Sequence, residues 1–136
     1  MATTFRFEIV TPDKMLFESD NVVYVGCRAL TGNLGVEAKH LPLIATLDVA
    51  PLKITLDDGS VLKFAVAGGF LEMKDNKCTV LAAIAEPGDD IDVARAEAAK
   101  NRAEDRLKAK AADLDVKRAQ LALKKAATRI KVAGSN

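Results

Sequence analysis

The stretch Ala85-Glu86-Pro87-Gly88-Asp89-Asp90-Ile91-Asp92-Val93-Ala94-Arg95-Ala96 constrains the fold more than any other. Every proline, every aromatic residue and every glycine but Gly134 lies before Ile91. A break that abrupt divides the chain into a strand-and-turn half and a helical half. Pro87-Gly88 ends the last strand, since proline lacks an N–H and glycine lets the backbone turn. Asp89 or Asp90 can cap the orphan N–H groups of a new helix, with Asp92 in its first turn, where the helix dipole favours an anion. The expected domains are 1–86, built of strands, and 87–136, built of helices.

Upstream of the break, Phe5, Phe7 and Ile9 alternate with Arg6, Glu8 and Val10, the period of a half-buried strand. Short strands follow at Met15-Leu16-Phe17, from Asn21 to Val25 and at Leu34-Gly35-Val36, with turns at Pro12-Asp13 and Thr31-Gly32-Asn33. Pro42 argues against a central strand at that point. Leu52 to Leu56 and Val61 to Val66 alternate on either side of Asp57-Asp58-Gly59-Ser60, a strong hairpin pattern. Gly68-Gly69 breaks the next run, as a bulge or a close backbone approach. Phe70 to Met73 and Cys78 to Leu81 form a second hairpin around Asp75-Asn76. About ten short strands at this spacing make a β-sandwich or flattened barrel.

Downstream, two runs rich in Ala, Glu, Lys and Arg read as helices from Asp90 to about Lys110 and from Asp113 to Val132. Asp113 is the expected second cap and Gly134 the stop. The joint near Ala111-Ala112 is weakly marked, so an antiparallel two-helix hairpin and one long helix both fit. The expected seam is Val93, Ala96, Ala99, Ala103 and Leu107 against Leu114, Leu121, Ala122, Ala126 and Ile130. Small residues allow close approach but bury little apolar area, at about 25 cal/mol per Å². Such a hairpin should be held weakly and be able to move.

The net charge of +1 conceals an asymmetry. Residues 1–90 carry 8 basic and 13 acidic side chains, and residues 91–136 carry 12 and 6. A basic helical half beside an acidic half points to self-docking or to an acidic partner. Cys27 and Cys78 read as unpaired thiols within strands. No apolar run is long enough to span a membrane, and no signal peptide is expected.

No catalytic constellation emerges. A single histidine, His40, and two distant cysteines make no metal site. No P-loop is present. Asp57-Asp58 and Asp89-Asp90 are better explained as a turn and a cap than as an acid/base pair. One alternative is a stand-alone adaptor that senses ATP or binds nucleic acid through the basic helices. The helical half has no aromatics and its acids are interspersed, which weighs against nucleic acid.

Five segments then occur in order: TPDKMLFES, TGNLGVEAKHLPL, FAVAGGFLEM, TVLAAIAE and DIDVARAEAAKNRAEDRL. Across essentially the whole chain this resembles the epsilon subunits of bacterial rotary ATP synthases. The resemblance implies a β-sandwich of about ten strands followed by a two-helix hairpin. It implies a non-catalytic place in the central stalk, peripheral to the cytoplasmic face of the cell membrane and not inserted in it. The gamma subunit and the c ring are the implied partners of the sandwich. The helices lie on the sandwich in one state, and extend to the catalytic alpha/beta head and block ATP hydrolysis in another. No cofactor is required, but some members bind ATP as a regulatory ligand. The family's motif for it falls on Ile91, Asp92, Arg95 and Ala96, preceded by Glu86, with Lys125 and Arg129 where the second helix has arginines. Capping and pairing across the hairpin would account for Asp92 and Arg95 equally well. The loop implied to face the c ring holds Thr31, Gly32, Asn33 and His40. It departs from the family pattern in having Asn33 for an acid and Ala38-Lys39 for Pro-Gly before the histidine.

Overall fold

The computed structural model describes residues 3–109 and 115–133. Six strands come first: β1 (Phe5–Val10), β2 (Met15–Ala29), β3 (Gly32–Glu37), β4 (Leu43–Leu56), β5 (Val61–Lys74) and β6 (Lys77–Pro87). A 3-10 turn (Gly88–Asp90) leads to α1 (Val93–Ala109) and α2 (Val116–Val132). The strand order is β1-β6-β5-β4-β2-β3, and β1 also pairs with β2. Five strands therefore close on themselves and β3 is added alongside β2. Closure leaves few open backbone groups at an edge. Only the β1–β6 pair is parallel. Inside lie Phe5, Phe7, Ile9, Val22, Val25, Leu52, Ile54, Leu71, Met73 and Val80, all nearly or fully buried. Phe17 bridges Phe7 and Phe64, with ring centroids 6.2 and 5.5 Å away.

The sandwich followed by two helices agrees with the expected architecture, but with six long strands instead of about ten short ones. Segments 15–17 and 21–25 are one strand, because the polar run between them stays in the ladder with β1. Arg6 on β1 makes this tolerable: its guanidinium meets Glu18 and, at 3.4 Å each, Glu8 and Asp20. Strand β4 likewise runs through Pro51, which falls where the β2–β4 register is interrupted. A missing N–H costs least there. Pro42 precedes the strand, as expected. Of the two readings of Gly68-Gly69, the close approach holds. The register of β5 against both neighbours is unbroken, and a Cβ on Gly69 would lie 2.1 Å from the Leu81 carbonyl oxygen.

Both hairpins form where expected. Asp58 accepts from the Ser60 N–H at 2.9 Å, so this acid is a turn residue. Asp75 and Asn76 turn β5 into β6 with φ of 52° and 59°. The helix caps differ from expectation. Asp92 caps α1 by accepting from the Arg95 N–H at 3.1 Å, while Asp89 and Asp90 are used in the 3-10 turn. Asp115 caps α2 by accepting from the Arg118 N–H at 3.0 Å. The expected cap Asp113, the stop Gly134 and the joint at Ala111-Ala112 lie outside the described residues. Two separate helices exclude the single long one.

The seam also differs. Ala96, Ala103 and Ala126 are buried as expected, but Val93, Leu121 and Ala122 are exposed, and Leu114 lies outside the described residues. Ala119, Thr128 and Val132 are buried instead. The reason is that α2 serves two neighbours. It packs on α1 along one side and on β4 and β5 along another. Pattern analysis for a lone hairpin assigns it a single apolar face.

Gly69→Ala should lower stability by about 2–4 kcal/mol, since the added methyl meets backbone that cannot retreat. Gly59→Ala, in an open turn with nothing within 4 Å, should cost only about 1–2 kcal/mol of backbone strain. Thermal unfolding of the two variants tests the ranking; equal losses would contradict it.

Candidate functional site

The helical hairpin sits on the sandwich through α2, and the seat is small. One buried apolar cluster there is Ala65 of β5, Ile91 before α1 and Val132 at the end of α2, with Ala133 packed against it. None of these belongs to the sandwich core. Gly88 lies against the last turn of α2, where a Cβ would come 2.5 Å from the Val132 carbonyl oxygen. The seat also carries charge. Arg129 of α2 faces Glu86 of β6, with Nε 2.8 Å from Oε1 and Nη2 donating to Oε2 at 3.2 Å. The Nε contact is an ion pair without hydrogen-bond alignment. Lys124 of α2 donates to Asp48 of β4, and Arg28 of β2 lies 3.7 Å from the same carboxylate. The Lys124 ammonium holds the Asp48 carboxyl below the usual aspartate range, helped by the Val49 N–H, against a smaller opposing push from burial.

The acidic sandwich and basic helices thus meet by self-docking, the first of the two readings of the charge asymmetry. Sequence reasoning singled out Glu86 and Arg129 but missed Asp48 and Lys124. A usable signal existed: Asp48 is the one acid in the otherwise apolar run from Leu43 to Leu52.

A cavity of about 290 Å³ lies beside the Glu86–Arg129 pair, between β5, β6 and the two helices. Lys125 lines it together with Glu86 and Arg129, and the remaining wall includes Ala65, Ala99 and Thr128. The size is near the lower limit of ordinary ligand pockets. Two cations and one carboxylate beside small apolar residues suit a phosphate-bearing ligand with a flat apolar part. Ile91, Asp92, Arg95 and Ala96 do not line this cavity. Ile91 packs with Ala65 and Val132, Ala96 is buried, and Asp92 caps the helix through the Arg95 N–H.

Thr31, Gly32 and Asn33 line a groove of about 380 Å³ with residues 43–46, so the structure brings those three together. His40 is exposed in the preceding connection, its Nδ1 2.7 Å from the Leu41 carbonyl oxygen. It does not line the groove. Leu30, Leu41 and Ile44 are 66–79% exposed nearby in sequence. Both thiols are free, and burial pushes Cys27 up to about 11 and Cys78 to about 12. Neither is a nucleophile at neutral pH. Among the described residues, no group of three or more His, Cys, Asp or Glu side chains could hold a metal ion.

Two family profiles match in succession: ATP synthase, Delta/Epsilon chain, beta-sandwich domain over residues 4–88, and ATP synthase, Delta/Epsilon chain, long alpha-helix domain over residues 89–134. The ATP synthase epsilon chain of Pelotomaculum thermopropionicum is 50% identical over 107 residues, 79% of this chain and 78% of the relative. That of Desulforamulus reducens is 47% identical over 113 residues, 83% and 84% of the two chains. Among solved structures, a chain of the Euglena gracilis mitochondrial ATP synthase OSCP/F1/c-ring assembly superposes with a TM-score of 0.80 at 18% identity, covering 91% of this chain and 78% of that one. A chain of the Tetrahymena thermophila mitochondrial ATP synthase central stalk/c-ring structure gives 0.60 at 19% identity, covering 96% and 94%. At those identities the two superpositions establish the shared fold.

The seat should respond to acid in a defined direction. Asp48 is held lower in the docked state than when Lys124 has left, so its contribution is complete above the ordinary aspartate value of 3.8 and lost as pH falls through the depressed one. Asp48→Asn should speed amide exchange along α2 at neutral pH and flatten its acid dependence between about pH 5 and 2. A variant with the wild-type profile would contradict this. A double-mutant cycle with Glu86→Gln and Arg129→Ala should give a coupling of about 0.5–1 kcal/mol for docking; additive effects would mean the pair contributes nothing.

Proposed function

This chain belongs to the ATP synthase delta/epsilon family, as an epsilon chain and a non-catalytic subunit of that complex, and we propose that its hairpin is a mobile brake on ATP hydrolysis. In this reading the subunit turns with the central stalk and helps couple proton or other ion flow to ATP synthesis. Docked on the sandwich, the helices leave the catalytic head free. Released, they extend to the alpha/beta head and block hydrolysis. The observation that carries the reading is the character of the seat: its buried apolar cluster is Ala65, Ile91 and Val132, the other buried side chains of α2 are only Ala119, Ala126 and Thr128, and its ion pairs are partly exposed. Each exposed pair is worth about 0–1 kcal/mol, so modest competing contacts can shift the balance. The sandwich core, by contrast, stands without the helices.

Partners follow from the exposed surfaces. The strand register places Ile44, Phe70 and Leu81 on one outward face, 50–75% exposed in round terms, at 72%, 54% and 54%. An apolar face of that kind suits a protein partner, here the gamma subunit. The loop with Thr31, Gly32 and Asn33, together with His40, is assigned to the c ring. No described helix is long and apolar enough to cross a membrane. We place the subunit peripherally at the cytoplasmic face of the cell membrane, through its partners. The domains 1–86 and 87–136 act as separable units. ATP is assigned as a regulatory ligand in the Glu86–Lys125–Arg129 cavity, without hydrolysis. Lys125 gives a point charge in place of a guanidinium fork, so contact with phosphate is less directional. Ile91, Asp92, Arg95 and Ala96 lie at the start of α1, outside the lining of that cavity. A ligand bridging α1, α2 and the sandwich would favour the docked state.

An enzyme reconstituted with residues 1–86 alone should hydrolyse ATP severalfold faster than one with the full chain, while the fragment keeps a cooperative thermal transition and still binds gamma. Unchanged hydrolysis would remove the brake, and a fragment that no longer melts cooperatively would refute separable domains. Calorimetry should detect ATP binding to the full chain that weakens in Lys125→Ala and in Arg129→Ala; equal affinities would remove the site.

A further inference from the structure

Asp48 is shared by two cations, and they belong to different parts of the chain. Lys124 comes from α2 and donates to Oδ1. Arg28 comes from β2, with Nε 3.7 Å from Oδ2. The two therefore take opposite oxygens of one carboxylate. The sandwich alone fixes the Arg28 contact. Strand pairing sets Ala29 of β2 opposite Leu47 of β4, each next in sequence to one member of the pair. The Val49 N–H, also on β4, donates to Oδ1 at 2.8 Å and orients the carboxylate. None of this depends on α2. Among the described residues Arg28 makes no other ion pair. Its side chain is 60% exposed and that of Asp48 is 18% exposed, so the guanidinium has room to follow the carboxylate when a rival leaves.

We propose that Arg28 is a competitor built into the seat: it keeps Asp48 paired after Lys124 departs, and it loosens the hold on α2 while the helix is docked. The inference rests on the reading that the hairpin leaves the sandwich. Two like charges drawn to one carboxylate repel each other. Arg28 and Lys124 line the same cleft beside α2, so docking brings them together and release separates them. The docked state alone carries that repulsion. The released state alone needs a replacement cation for Asp48, and Arg28 is already there. Both effects push the same way. A contact that looks like part of the latch therefore works against it, and makes α2 easier to release without altering where it sits.

Amide exchange along α2 in the full chain tests this, with Arg28→Gln to remove the charge and keep a polar side chain. An ordinary stabilising pair predicts faster exchange in the variant. A competitor predicts the opposite sign: exchange about two- to threefold slower at neutral pH and low salt. The difference should shrink as salt rises, because the groups are partly exposed. In a Lys124→Ala background Arg28→Gln should leave α2 exchange unchanged, since the repelled partner is gone. A second readout needs no opening of the helix. In Lys124→Ala, the Asp48 carboxyl should titrate lower with Arg28 present than with Arg28→Gln, as followed by carboxyl NMR. Faster or unchanged exchange in Arg28→Gln, an effect that persists without Lys124, or an Asp48 titration indifferent to Arg28 would each overturn the proposal. Exchange along α2 as slow as in the sandwich core of wild type would overturn release itself, and this role with it. An α2 that opens in wild type but ignores Arg28→Gln would overturn this role alone.

Discussion

Everything beyond the sandwich depends on how α2 is held, and two partly exposed ion pairs, Asp48–Lys124 and Glu86–Arg129, tie it to the strands beside a layer of small buried side chains. Ion pairs at a surface have a particular character. They specify where a helix sits, because each side chain must meet its partner, yet they add little net free energy. Apolar burial would hold more firmly, but the buried side chains of the two helices are alanines, Thr128 and one valine. The same residues that make the docked position unique therefore make it easy to leave. For a part proposed to occupy two positions, this is the useful combination: geometry well defined, depth shallow.

The sandwich shows the opposite balance. Its strands close into a ring, its core contains three of the phenylalanines in full burial or nearly so, and its ladder continues through polar and proline-containing stretches. The strand and helical halves are divided at Pro87-Gly88, where the composition also changes. Family membership accounts for why such a division exists; the residues account for how it is achieved.

Much of this was legible in the sequence, and the misses have a common cause. Alternation marked β1 and the hairpin at Asp57-Asp58-Gly59-Ser60 correctly, because there the buried partner is the chain's own nearest strand. Strand lengths were underestimated at residues 18–21, since Arg6, distant in sequence, is what neutralises that acidic run. The expected cap of α1, Asp89 or Asp90, falls two or three residues early because three aspartates compete locally and only backbone geometry decides between them. Glu86 and Arg129 were named from family likeness, and the structure pairs them. Asp48 and Lys124 escaped notice because neither stands out within its own element; their meaning arises only when strand and helix are brought together. The seam was misassigned for the same reason, as α2 answers to the sandwich as well as to α1.

Gly88 touches the final turn of α2, so the hairpin begins and finishes at one spot on the sandwich. Extra turns inserted equally in both helices would leave that base untouched, while each turn would carry the far tip about 5.4 Å further out. Reach and grip are thereby uncoupled: evolution can tune how far the arm stretches without redesigning the hinge that stows it.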